Sequence, residues 1–157
     1  MKTLSTKAVL FFVTGAGAGY FPRLPGTVGT LVAIPFSILL NRIAANHFIL
    51  GVVIVIAAIV CAIGLSTKGA GILKQKDPQV IVIDEIVGFW VTNFLAPLRW
   101  SVLLVGFLMF RFFDIAKVFP INRLEQLPGG AGIVLDDVMA GVYALIILQL
   151  LLRLHWL

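Results

Sequence analysis

Apolar residues in this chain come in long, nearly unbroken runs, without the short alternation that marks a half-exposed strand. Four runs stand out: Val28 to Ala45, Phe48 to Leu65, Trp100 to Phe119, and Asp137 to Leu154. Each approaches the roughly 20 apolar residues that a helix needs to cross a bilayer core of about 30 Å. A fifth run, Val80 to Leu98, carries Asp84 and Glu85 near its beginning. Its uninterrupted part, Ile86 to Leu98, gives roughly 20 Å of helix, thin for a full crossing. The two carboxylates therefore belong near one membrane surface. Pro35 falls inside the first run, where a kink is tolerated if neighbouring helices satisfy the freed carbonyl. The pattern predicts an all-α, multi-pass helical membrane protein with four or five membrane helices, five being preferred, in a single domain spanning 1–157.

The connections divide into two kinds. Asn41 to His47 and Ala96 to Trp100 are brief and plain, whereas Tyr20 to Thr27, Ser66 to Asp84 and Asp114 to Asp136 are longer and polar. Five crossings put the three long connections on one side. That side then carries Lys2, Lys7, Arg23, Lys68, Lys74, Lys76, Arg111, Lys117 and Arg123, against Arg42, Arg99 and Arg153 opposite. By the positive-inside rule the polar connections face the cytoplasm.

Composition sharpens this picture. Only 12% of residues are charged and 61% are hydrophobic, far from the roughly 25% charged expected of a soluble domain. The surplus of +5 is spread singly between apolar segments, so anionic lipid is the expected partner and nucleic acid is not. The lone cysteine, Cys61, excludes an intramolecular disulfide and a thiolate metal site, and reads as a small core hydrophobe. Lys2, Lys7 and the stretch Ala8 to Val13 superficially resemble a signal peptide, but the apolar part is short and longer spans follow. An amino-terminal interfacial or re-entrant helix is the expectation.

The chain has seven acids, Asp77, Asp84, Glu85, Asp114, Glu125, Asp136 and Asp137. Asp84, Glu85, Asp114, Asp136 and Asp137 all sit where a polar connection meets an apolar helix. Ionised groups at such depth are costly, so acids needed only for solubility would lie farther out. If these converge, their repulsion requires a cation, and clustered oxygens suit Mg²⁺. Adjacent on a helix, Asp84 and Glu85 point about 100° apart, so one can bind metal while the other braces it. An acidic helix start explains that pair equally well. Arg111, Asp114 and Lys117 recur at spacings of three along one helix side, either as local ion pairs or with Asp114 on metal and the two bases on phosphate. Asp136 and Asp137 are expected to open the last helix after Gly129, Gly130 and Gly132; capping needs one of them, not two. Gly141 suits close approach of a neighbouring helix. In the Tyr20 to Thr30 segment, Pro22, Pro25 and Gly26 turn the chain, Thr27 is placed to cap the next helix, and Arg23 can add a charged contact to an anion there.

Other chemistries drop out. No serine nucleophile motif, zinc helix or phosphate loop is present. Gly15, Gly17 and Gly19 lack the dinucleotide spacing and read as helix packing or a flexible lead-in, so no nucleotide cofactor is expected. His47 and His155 fall on the far side as surface residues. Metal-assisted phosphoryl transfer remains.

Pro25 to Thr27 (Pro-Gly-Thr), Asp84 to Gly88 (Asp-Glu-Ile-Val-Gly), Phe110 to Asp114 (Phe-Arg-Phe-Phe-Asp) and Gly132 to Gly141 (Gly-Ile-Val-Leu-Asp-Asp-Val-Met-Ala-Gly) occur in that order. With these blocks the chain resembles the bacterial phosphatidylglycerophosphatase A family from Gly15 to about Gly141. The resemblance implies Mg²⁺-dependent hydrolysis of phosphatidylglycerophosphate to phosphatidylglycerol and inorganic phosphate in the cytoplasmic (inner) membrane, with the site facing the cytoplasm. The family commonly has Lys-Pro in its third block; here Val118 follows Lys117, which lets the helix continue. The combined expectation gives catalytic roles to Asp84, Glu85, Asp114 and Asp137. Metal binding falls to these four with Asp136, and phosphate binding to Arg111, Lys117, Arg23, Thr27 and Lys68. The alternative is a membrane ion or proton carrier using interfacial carboxylates, although transport should spread ionisable groups through the membrane's depth. A nucleotide-dependent lipid phosphotransferase is disfavoured because its dispersed glycine, alanine and aspartate signature is missing. The sequence leaves the oligomeric state open.

Overall fold

The computed structural model describes residues 5–157, and all of its regular elements are helical. Lys2, one of the cations counted above, lies outside the described residues. The helices are α1 (Thr6–Val13), α2 (Pro25–Asn46), α3 (Phe48–Leu73), α4 (Ile83–Thr92), α5 (Trp100–Ala116), α6 (Ile121–Leu124) and α7 (Gly130–Arg153), with a 3₁₀ turn at Ala18–Tyr20. Helix α4 stands at the centre. Around it α2 packs on α3, α3 on α7, and α7 on α5, while α5 and α2 barely touch.

Three of these helices, α2, α3 and α7, are long and apolar enough to cross a membrane. That corrects the expected four or five. The 17 residues of α5 span about 25 Å, and the 10 of α4 only about 15 Å. Helix α4 therefore stops partway through the bundle. Its continuation, Asn93 to Arg99, is irregular backbone in which Asn93 and Ala96 are buried, and buried backbone groups need partners. Asn41 of α2 supplies the partners: its Nδ2 donates to the carbonyls of Asn93 (2.6 Å) and Ala96 (3.4 Å), and its Oδ1 accepts from the N–H of Leu95 (2.9 Å). A cluster of Ala96, Val102 and Leu148 seals the turn from below.

Other expectations shift by a turn or two. Helix α2 begins at Pro25, which suits a first-turn proline, and Thr27 lies inside it, not at the cap, which is Leu24. Pro35 sits within α2 without ending it. Helix α3 runs to Leu73, two turns beyond the expected end. Helix α7 starts at Gly130, whose N–H donates to Thr67 Oγ1 at 2.9 Å, so Asp136 and Asp137 lie in its second turn and do not open it. Despite Val118, α5 stops at Ala116, because Lys117 adopts a left-handed conformation (φ 47°) and closes the helix with its N–H on the Phe113 carbonyl. Cys61 is exposed on the outer surface of α3 and is not a core residue. The 8 residues of α1 are too few to cross; Val9 and Val13 pack against Ala70, Ile81 and Ile133. Gly19 lies so close to the Val80 backbone that no side chain fits there, which fixes the lead-in segment over the loop before α4.

Candidate active site

Helices α2, α4 and α7 begin at one end of the bundle, where α5 finishes. The same end receives the eight described cations of the richer side. Between these termini lies a cavity of about 400 Å³. Its walls carry Asp84 and Glu85 from α4, Asp114 from α5, and Asp136 and Asp137 from α7, together with Arg23, Arg111 and Lys117. Residues as far apart in sequence as Arg23 and Asp137 meet here.

Two close backbone approaches assemble the floor. Gly88 of α4 lies against the Asp137 carbonyl and Phe110, and Gly141 of α7 lies against the Gly88 carbonyl, so a side chain at either glycine would collide. This crossing draws the first turn of α4 to the second turn of α7. One carboxylate oxygen from each of Asp84, Glu85 and Asp137 then falls within 4.8 Å of the other two. Asp84 and Asp137 are buried. On the other side, Glu85 occupies the space a side chain at Gly26 would take. The Pro-Gly-Thr block is thus explained by a close approach, and Thr27 does not line the cavity.

The five acids are not equivalent. Asp114 Oδ2 lies 2.6 Å from Arg111 Nη1, one turn away on α5, while Glu85 Oε1 stands 3.8 Å from the same nitrogen. Arg111 Nη1 and Nε are nevertheless without hydrogen-bond partners, so the close ion pair is not aligned as a hydrogen bond and leaves donors free. Lys117 donates to Asp136 Oδ2 and stands 3.7 Å from Glu125. Burial works against its charge, but the hydrogen bond and attraction of Asp136, with Asp137 and Glu125 behind, outweigh it and raise the ammonium pKa above the ordinary lysine value. Asp114 and Asp136 are therefore each matched to a base. Asp84, Glu85 and Asp137 are left facing one another, and Glu85 Oε2 is buried without a partner.

Arg23 lines the cavity with a positive φ of 79° and, among the described residues, has no ion pair. Lys68, expected near the phosphate, is exposed on α3 and does not line the cavity. Asp77 and Gln79 do line it, from the loop before α4, and were not singled out from sequence. Burial against the wall raises the Asp77 carboxyl above the usual range; Lys117 and Lys76 oppose this, while Glu125 and Asp114 reinforce it.

Fold and pocket together define a helical membrane protein with an acidic, base-braced site at one end of its bundle. The sequence profile of phosphatidylglycerophosphatase A matches residues 11–152. A Bacteroides thetaiotaomicron protein, provisionally named a phosphatidylinositol-3-phosphatase, is 36% identical over 148 residues, covering 86% of this chain and 87% of its own. The phosphatidylglycerophosphatase A of Escherichia coli is 35% identical over 144 residues, covering 90% and 81%. That of Haemophilus influenzae is 35% identical over 137 residues, covering 85% and 82%. No solved structure matches. The chain belongs to the phosphatidylglycerophosphatase A family and is a phosphatase.

Proposed function

We propose that this phosphatase removes the terminal phosphate of phosphatidylglycerophosphate, yielding phosphatidylglycerol and inorganic phosphate as a step of phosphatidylglycerol biosynthesis, with Mg²⁺ as cofactor. The observation that carries the reading is the meeting of Asp84, Glu85 and Asp137 beside two bases already held in place by other acids. Two relatives bear the name of this activity.

The residues fit a hard divalent ion. Three converging carboxylates, one with an orphaned buried oxygen, meet a cation within ion-pair distance only at Glu85, 3.8 Å from Arg111 Nη1, among the described residues, and oxygen donors are the set Mg²⁺ takes. Asp84, Glu85 and Asp137 would hold it, with Asp114 and Asp136 bracing the bases instead of binding metal directly. Bound there, the ion would supply neutralisation of phosphate charge and polarisation of water.

The chain's own groups do the positioning. The free donors of Arg111, Lys117 and the unpaired Arg23 bind the phosphate oxygens. Asp114 fixes Arg111 and Asp136 fixes Lys117, so little ordering remains when substrate arrives. Water attacks phosphorus in line as the ester oxygen leaves toward the lipid. The diacyl chains stay in the bilayer, and the site faces the cytoplasm, in line with the excess of cations at the pocket end.

The test is phosphate release by purified protein from phosphatidylglycerophosphate, phosphatidylinositol 3-phosphate and phosphatidic acid, with Mg²⁺ and with chelator. Turnover confined to phosphatidylglycerophosphate and lost with chelator supports the reading. Preference for the inositol lipid overturns the substrate, and chelator-resistant turnover overturns the metal. An acid-stable phosphoenzyme would replace water by a carboxylate as the nucleophile.

A further inference from the structure

The cavity walls are charged or polar except at a few positions. Ile81 and Ile133 are buried in the protein, at 3% and 6% exposure, but Leu24 and Ile115 are 58% and 72% exposed. These two stand on either side of one seam. Leu24 precedes α2, and Ile115 is the penultimate residue of α5, one residue after Asp114. It is the same seam that the ring of helices leaves open: α2–α3, α3–α7 and α7–α5 are packed, whereas α2 and α5 scarcely meet. Deeper in the bundle Ile34 of α2 and Phe107 of α5 both pack onto the Phe89 and Phe110 cluster.

Its chemistry names its occupant. An aqueous phosphate needs no apolar margin, and two large aliphatic side chains at the lip of an acidic cavity suit a molecule that is charged at one end and hydrocarbon at the other. Arg23 adjoins Leu24 and lines the same cavity, so a cation and an aliphatic side chain stand side by side at its wall. We infer that the substrate enters sideways through the α2–α5 seam, its phosphate passing Arg23 and its glycerol and first acyl carbons resting on Leu24 and Ile115. This rests on the reading of the protein as a lipid phosphatase and adds the route and the contact surface. The lipid then need not leave the bilayer.

Labelling after folding tests the route without asking a bulky variant to fold. Exposed Cys61 is first replaced (Cys61→Ser), and Leu24→Cys or Ile115→Cys is then modified with a bulky maleimide. With the long-chain lipid in vesicles, kcat/KM is expected to fall at least about tenfold, while a dibutyryl analogue arriving from water stays within about twofold. Equal loss on both substrates, or loss on neither, overturns the inference. A second readout is independent of turnover: a phosphatidic acid with a diazirine beside the acyl carbonyl should label the segments around Leu24 and Ile115, competed by excess unlabelled lipid. Labelling confined instead to the α3 surface around Ala58 and Cys61 overturns the route even in an inactive protein. Failure of the unlabelled protein to hydrolyse any lipid phosphate, with the seam still labelled, would discard the proposed reaction and keep the route.

Discussion

The Gly88 carbonyl of α4 rests against Gly141 of α7, close enough to exclude a side chain at position 141. Because Asp84 lies one turn above the first glycine and Asp137 one turn above the second, this contact sets the gap between the two buried carboxylates. Gly141→Ala should cost about 1–3 kcal/mol in unfolding free energy, as overpacking does. It should also reduce turnover more than Gly64→Ala, where a side chain meets open space. Paired denaturation and activity measurements on both variants check this.

Asp84→Asn and Asp137→Asn should each lower kcat by about two orders of magnitude or more, the scale for losing one element of transition-state electrostatics. Both remove like charge from a buried cluster, so neither should unfold the protein. Mg²⁺ should raise the thermal midpoint of the parent and leave those of the variants nearly unmoved, since only a folded, intact site binds it. A metal-induced shift equal in parent and variants would remove these residues from the metal site.

Lys117 and Asp136 form a pair in which the acid is almost wholly enclosed, its side chain 5% exposed against 29% for the lysine. Lys117→Met should destabilise by on the order of 2 kcal/mol, the value of a charge-assisted hydrogen bond whose partner is left behind. Adding Asp136→Asn should restore part of that loss. A double-mutant cycle in denaturant reads the coupling directly.

Asp77 offers a pH test. Folding raises its pKa, so the protonated form is the one folding favours. Its contribution to stability is full below the unfolded pKa and disappears as pH climbs through the folded one. Asp77→Asn should therefore raise the thermal midpoint at pH 7.5 and change it little at pH 4. Melting curves at the two pH values decide it, and a midpoint lowered at pH 7.5 would contradict the assigned direction.

Asn41 should be sensitive in a different way. Asn41→Leu keeps the volume but strands the carbonyl of Ala96 and the N–H of Leu95, at about 1–3 kcal/mol per orphaned group, and leaves the Asn93 carbonyl with the Ala96 N–H alone. Reduced thermal stability and protease cleavage at Asn93 to Arg99 are the expected results, with Asn41→Asp milder on the acceptor side.

Much of this was legible along the chain. Runs of apolar residues located α2, α3, α5 and α7, and the placement of acids at helix junctions anticipated that Asp84, Glu85, Asp114, Asp136 and Asp137 would share one cavity. What sequence spacing could not supply was partnership across the bundle. Arg111 and Asp114 pair within α5, as their spacing allows, but Lys117 turns to α7, which no local period reveals. Thr27 and Lys68 carry suitable chemistry in suitable connections, yet α2 begins a turn early and α3 ends two turns late, which moves both away. Asp77 sits in a loop without periodicity, and Asn41 looked like any polar residue at a helix end until its partners, 52 and 55 positions onward, were in place.

The shortness of α4 has a bearing on how the phosphatase meets membranes of unequal thickness. Long helices answer a thicker or thinner bilayer by tilting. Helix α4 is anchored instead at its foot by an asparagine and beside its head by a neighbouring glycine, both belonging to α2. The platform carrying the carboxylates thus takes its elevation from protein neighbours, and lipid length does not set it.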